Sequence, residues 1–279
     1  TDGAMTHQGK IVTLNGKRWS ASTGVMLYGN YLPQKVCAGQ RWAMTLHLRA
    51  VHGELNDGGY DAQQSAFARH QTLSGRFTHA EIVDDRCSLR ARYLMSLQNT
   101  LSSYPWGAVI LGLGMGERLD VPREIKNLMR ETGTLHLMAI SGLHIALAAS
   151  IAWLLVRGIQ FFLPCNWVYW QMPVLGGLFF AAFYAWLTGL QPPALRTVIS
   201  LAVLAALRIS ARRWTPWQVW FCCVAAILIF DPLAVLSQSL ALSAFAVAAL
   251  IFWYQWLPLP RWHRFGHMRP LVNMIYLQV

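Results

Sequence analysis

Thr132-Gly-Thr-Leu-His-Leu-Met-Ala-Ile-Ser-Gly-Leu-His-Ile-Ala-Leu-Ala-Ala-Ser-Ile-Ala-Trp-Leu-Leu-Val156 lies between Glu131 and Arg157 and carries no charged side chain over its 25 residues. One helix of that length crosses the roughly 30 Å hydrocarbon core of a bilayer. Apolar runs over 167–190, 194–208, 214–230 and 233–256 supply four more candidate spans, so the sequence predicts about five. The third, at about 15 residues, would tilt little or cross only in part. Gln191 and the Pro192-Pro193 pair before it should break the helix and free backbone groups, which is tolerated only against protein or a water-filled cavity. Another apolar run begins at Leu271, so the membrane region is expected to be incomplete within these residues.

The charge distribution separates this region from what precedes it. Of the 23 lysines and arginines, 11 fall in 1–100, 4 in 101–131 and 8 in 132–279, whereas the 12 acids fall 7, 4 and 1. Overall 55% of residues are hydrophobic and only 13% charged, about half the charged share of a soluble domain. The fold class expected is an α+β membrane protein: a β-domain over 1–85, a linking helix and interfacial or re-entrant segment over 86–131, and a helical membrane domain over 132–279. With five spans, one side of the membrane collects Arg157, Arg208, Arg212, Arg213, Arg261, Arg264 and Arg269, and the other Arg118, Arg123, Lys126 and Arg130. Positive loops stay in the cytoplasm, which places the larger set inside and the β-domain outside. Trp167, Trp170, Trp214, Trp217, Trp253 and Trp256 fall at span ends on the inner side, as an interfacial aromatic belt would.

Residues 1–85 read as short strands broken by turns. Asn15-Gly16 is a two-residue hairpin signal, and Trp42, Met44, Leu46 and Leu48 alternate with Ala43, Thr45, His47 and Arg49. A small barrel or sandwich of about five strands fits, with a loop over 53–61 and a helix over 88–103 after it. Trp19 and Trp42, with Tyr28 and Tyr31, are interleaved with Lys17, Arg18, Lys35 and Arg41. Small barrels bind single strands by stacking bases on such aromatics while cations track the backbone; a core with a solvated basic face is the alternative. Cys37 and Cys87 are the only cysteines of the polar half, where one disulfide can form if that half lies outside the cytoplasm, two separate thiols being the alternative. The five cysteines contain no C-x-x-C, so no metal site is expected. The chain begins at Thr1 without a signal segment, so an external domain would need one upstream.

Ionisable groups inside spans are costly and are functional candidates. In a helix, His136, Ser141 and His144 would lie at about 0°, 140° and 80°, forming one polar face. Interhelical hydrogen bonding with Gly142 permitting close approach, a polar gate lining, and serine hydrolysis by Ser141 with His144 are the readings of that face. Arg196, in the first turn of the third span, either offers a charge to phosphate inside the bundle or snorkels to the interface. No nucleotide-binding G-x-x-x-x-G-K-[ST] and no H-x-H-x-D-H nuclease cluster occurs, so the chain is read as a non-enzyme that needs no cofactor.

These segments together resemble the ComEC-type competence proteins. The resemblance is carried by Gly114-Met-Gly-Glu-Arg118, by Thr132-Gly-Thr-Leu-His-Leu-Met-Ala-Ile-Ser-Gly-Leu-His144, by Pro193-Ala-Leu-Arg196, and by Asp231-Pro232 with Leu240-Ala-Leu-Ser243. His52-Gly-Glu-Leu-Asn-Asp-Gly-Gly-Tyr-Asp61 resembles a loop of the family's OB-like domain. The resemblance implies an extracytoplasmic OB-like domain on a multi-pass inner-membrane channel that passes one DNA strand to the cytoplasm. Gly133, His136, Ser141, Gly142, His144, Arg196 and Ser243 are the motif residues it carries over. Expected partners are single-stranded DNA, membrane lipid, further copies of the chain, an external DNA receptor and cytoplasmic motor proteins. Ala241 and Ala244 depart from the larger side chains usual beside the Leu-Ser pair. The metallo-β-lactamase-like domain of many members has no counterpart in these residues. A small-solute transporter and, further off, an intramembrane serine hydrolase are the alternatives.

Overall fold

A computed structural model describes residues 5–19, 23–29, 36–53, 61–104, 106–117, 121–134, 140–162, 169–210 and 212–256. The N-terminal part contains β1 (Met5–Lys10), β2 (Thr13–Leu14), β3 (Lys17–Arg18), β4 (Gly24–Gly29), β5 (Arg41–Ala50) and β6 (Gln71–Asp84). Asn15 and Gly16 take positive φ of 49° and 76°, the conformation a two-residue hairpin requires, and they join β2 to β3. The larger sheet has the order β1-β4-β6-β5, with β4 and β6 parallel and the other pairs antiparallel. Among the described residues this sheet is open, with β1 and β5 at its edges and the β2–β3 hairpin apart from it. Along β5 the alternation is as read from the sequence: Trp42, Met44, Leu46 and Leu48 are half-buried and Ala43, Thr45, His47 and Arg49 exposed. Cys37, before β5, is joined by a disulfide to Cys87, after β6, with Cα atoms 5.7 Å apart.

The stretch between β5 and β6 corrects the all-strand reading of 1–85. It contains α1 (Ala62–Ala68), whose N-cap Asp61 accepts a hydrogen bond from the Gln64 backbone N–H at 2.9 Å. Seven residues make too short a helix to be stable by propensity, and tertiary docking holds this one. After the sheet come α2 (Leu89–Leu101), capped by Ser88, then α3 (Gly107–Met115) and α4 (Arg123–Glu131). The four glycines of 105–116, read as an interfacial or re-entrant segment, sit in or beside the short helix α3.

Five apolar helices follow: α5 (Gly142–Phe162), α6 (Met172–Leu187), α7 (Pro192–Ile209), α8 (Pro216–Phe230) and α9 (Gln238–Trp256), with a 3₁₀ turn over Pro232–Leu236 before the last. Three of them, α5, α7 and α9, are long and apolar enough to cross a membrane; α6 and α8 are shorter. Two expectations change. The first helix starts at Gly142 and not near residue 132, because absence of charge says where a helix can lie and not where capping begins it. The third is an 18-residue helix. Pro192 and Pro193 open it, since the first helical positions need no N–H partner. Alanines and isoleucines make the contacts between helices: Ile140, just before α5, with Ile145, Ala149, Ala181, Ala185 and Ala194 of α5, α6 and α7 form one buried cluster. Ile199, Ile227, Ala234 and Leu240 form a second, across α7, α8, the 3₁₀ turn and α9.

Candidate functional site

One end of the bundle gathers the starts of α5, α7 and α9 and the ends of α6 and α8. The β-domain rests on this end. Gln64 Nε2 of α1 donates to Leu236 O at 3.0 Å, and His70 Nε2 lies 3.1 Å from Asp231 Oδ1. Arg90 of α2 donates through Nε to Leu187 O at 2.7 Å, and Tyr184 Oη donates to Gly114 O of α3 at 3.1 Å. The described parts of the bundle motif segments thus lie close together: α3 ends on α6, Gly116 faces Ile140, Ile140 packs with Ala194 of α7, and Arg196 of α7 reaches Ser237 after the 3₁₀ turn.

Ser141, Gly142 and His144 form the start of α5. His144 Nδ1 accepts the Ser141 backbone N–H at 3.2 Å, the reciprocal half of a capping box with an imidazole in place of the usual carboxylate. A nitrogen that accepts an N–H has no proton of its own, so the Ser141 hydroxyl, 3.0 Å away, donates to it as well. The His144 ring thus caps the helix through the Ser141 backbone N–H, and the Ser141 hydroxyl shares the same nitrogen. Among the described residues no hydrogen bond reaches His144 Nε2. Gly142 lies against α7, where a Cβ would come 2.5 Å from Thr197 Oγ1. Gly133 is at positive φ of 70° in the turn after α4. His136 lies outside the described residues, so the face expected of His136, Ser141 and His144 is described only for Ser141, just before α5, and His144, in its first turn.

Arg196 is half-buried one turn into α7. Its Nη1 donates to Ser239 Oγ and its Nη2 to Ser237 Oγ, each at 2.9 Å, and the two hydroxyls are 2.8 Å apart. This cluster lines a cleft of about 280 Å³ whose opposite wall is α1, with Asp61, Gln64 and Arg69. Ser243 is a turn further along α9, and its hydroxyl donates back to Leu240 O at 3.0 Å, outside the cleft.

Of the nucleic-acid candidates, Lys17, Arg18 and Trp19 are exposed together on and after β3, with Trp19 Nε1 donating to Thr23 Oγ1 at 3.1 Å. Arg41 is exposed at the start of the edge strand β5, and Trp42 is half-buried with its Nε1 in the interior, so its ring packs more than it presents. Lys35 and Tyr31 lie outside the described residues. Sequence reasoning missed Arg69, Gln64, His70, Ser237 and Ser239. One signal was available: Asp231 is the only acid in 132–279 and pairs with His70 across the domain junction.

A sequence profile described as "Competence protein" matches residues 113–277. The chain is 61% identical over 279 residues to the uncharacterized protein YcaI of Escherichia coli (strain K12), covering 100% of this chain and 37% of that protein. It is 34% identical over 217 residues to Recombination protein 2 of Haemophilus influenzae, covering 78% and 28%, and 32% identical over 245 residues to competence protein ComA of Neisseria gonorrhoeae, covering 81% and 34%. The chain spans about a third of the length of these curated relatives. No solved structure matches it.

Proposed function

The chain belongs to the competence protein family, and on that premise we propose that it forms part of an inner-membrane channel through which single-stranded DNA passes into the cytoplasm. The observation that carries this reading is the docking of the β-domain onto the bundle end where the family's motif segments converge. A strand held by the β-domain would be delivered directly to that end. Helix α5, with 21 residues at about 1.5 Å each, matches the roughly 30 Å bilayer core. Arg157, near the end of α5, and Arg208, Arg212 and Arg213, at and after the end of α7, lie at the far end of the bundle, which suits a cytoplasmic face with the OB-like domain outside. Lys17, Arg18 and Trp19 on one exposed hairpin offer cations and a stacking surface to an arriving strand. Energy and strand cutting come from other domains or partners, among them an external DNA receptor and a cytoplasmic motor, and copies of the chain with bound lipid complete the channel.

The test is uptake of fluorescent duplex DNA by host cells with and without the full-length gene. Cytoplasmic fluorescence that requires the gene, over an envelope signal common to both strains, is the expected result. Equal cytoplasmic signal in both strains would refute the channel role.

A further inference from the structure

We propose that the cleft between α1 and the starts of α7 and α9 binds the phosphodiester backbone of a nucleic-acid strand, with Arg69 from the β-domain and Arg196 from the bundle as its cationic walls. This deepens the function proposed above and rests on it.

The argument starts from charge. Arg69 and Arg196 line one cleft, and among the described residues neither has a carboxylate within ion-pair distance. The two described acids nearest this junction have hydrogen-bond partners of their own: Asp61, on the cleft wall, caps α1, and Asp231, whose charge also reaches Arg196, faces His70. Two guanidinium groups, neither in an ion pair among the described residues and one of them half-buried, outnumber the one carboxylate of the lining, Asp61, and favour an anion between them. Donors remain for it. A guanidinium has five N–H groups, and Arg196 spends two of them on Ser237 and Ser239. Those two hydroxyls share one proton in their mutual contact, which leaves the other proton free to point outward. Pro192 and Pro193 carry no N–H, so side chains and not the α7 backbone must supply the donors on that wall.

The lining also selects the kind of anion. At about 280 Å³ the cleft lies near the small end of ligand pockets, with room for a phosphate and part of its sugar. Among the described residues no aromatic side chain lines it, so a base has nothing to stack on and the backbone alone is recognised. Both walls are protein and mostly polar, with α1 tied to the 3₁₀ turn by Gln64, whereas a lipid headgroup site would continue into an apolar groove for the acyl chains. The site needs both domains, so it lies where a strand leaves the β-domain and reaches the bundle.

The experiment uses the whole chain in detergent micelles and a fluorescent oligothymidylate, with affinity measured against salt concentration. Arg69→Glu is the main variant, because the Arg69 side chain is exposed and the fold does not depend on it. Arg92→Glu makes the same charge change on the exposed face of α2, away from the cleft. Arg69→Glu is expected to weaken binding about tenfold or more and to lower the log–log salt slope by about 0.7, the share of one phosphate contact to a single strand, while Arg92→Glu changes affinity less than about twofold. Arg196→Lys, which keeps the charge and loses the fork, should weaken binding without the same loss of slope. Equal weakening by Arg69→Glu and Arg92→Glu would overturn the cleft and leave the channel reading intact. Loss of binding to phosphatidylglycerol vesicles with unchanged oligothymidylate binding would overturn it in favour of a lipid headgroup. Undetectable oligothymidylate binding by the unaltered chain would overturn it too, with the uptake assay judging the channel role separately.

Discussion

Breaking the Cys37–Cys87 disulfide should loosen the sheet and leave the helical bundle as it was. The bond closes a loop of 50 residues that contains β5, α1 and β6 and ends just before α2, away from the helices of the bundle. Cross-linking a loop of that length removes chain entropy from the unfolded state equivalent to about 4 kcal/mol at 25 °C. If the sheet opens as a unit, that loss corresponds to roughly a thousandfold in its opening equilibrium. The assay is hydrogen exchange by mass spectrometry on the full chain in detergent micelles, comparing the oxidised chain, the reduced chain and the Cys37→Ser/Cys87→Ser double variant. Amides of β5 and β6 are expected to lose protection by about that factor in both altered forms, and amides of α5 and α7 to keep theirs. Exchange of β5 and β6 within about tenfold of the oxidised chain would refute the loop-closure reasoning, and equal loss in α7 would refute the independence of the two parts.

Gly142→Ala should destabilise the α5–α7 contact by about 1–3 kcal/mol, since the new Cβ meets Thr197 Oγ1 and turning that hydroxyl away breaks its 3.0 Å bond to Pro193 O. Thermal unfolding in detergent measures it, and Thr197→Ala in the same chain should recover part of the loss. His144→Ala should cost about 0.5–2 kcal/mol through the lost cap, whereas His144→Glu, which restores the common form of the capping box, should cost little. Equal loss in the two variants, read by exchange in the first turn of α5, would mean that the imidazole does something other than cap the helix.

The helical part was legible in the sequence because hydropathy and charge are properties of a window. The number of apolar helices and their approximate centres followed from apolar runs, all but one of them free of charge, that reappear as α5 to α9. Their boundaries did not follow. Gly142 begins α5 because His144 and Ser141 close the first turn, and Pro192 begins α7 because a proline at the first helical position loses no hydrogen bond. The strand β5 was readable from its alternation, and the β2–β3 turn from Asn15-Gly16. Helix α1 was not, since seven residues carry too little periodicity and its stability comes from the surface it rests on.

The site divides the same way. By itself the sequence determined that Ser141, His144 and Arg196 would stand near the ends of apolar helices, that the last 148 residues hold a single acid, Asp231, and that the motif segments resemble one family. Only the tertiary structure decided what these residues meet. Arg196 is held by two serines from another helix, Asp231 by a histidine from the β-domain, and Arg69, which has no motif around it, faces Arg196 across the cleft. A window of sequence records which residues prefer to leave water and in what period. Which polar groups then satisfy one another depends on distances between segments 40 to 170 residues apart in the chain, and those are set by how helices with small-residue faces and a docked sheet pack together.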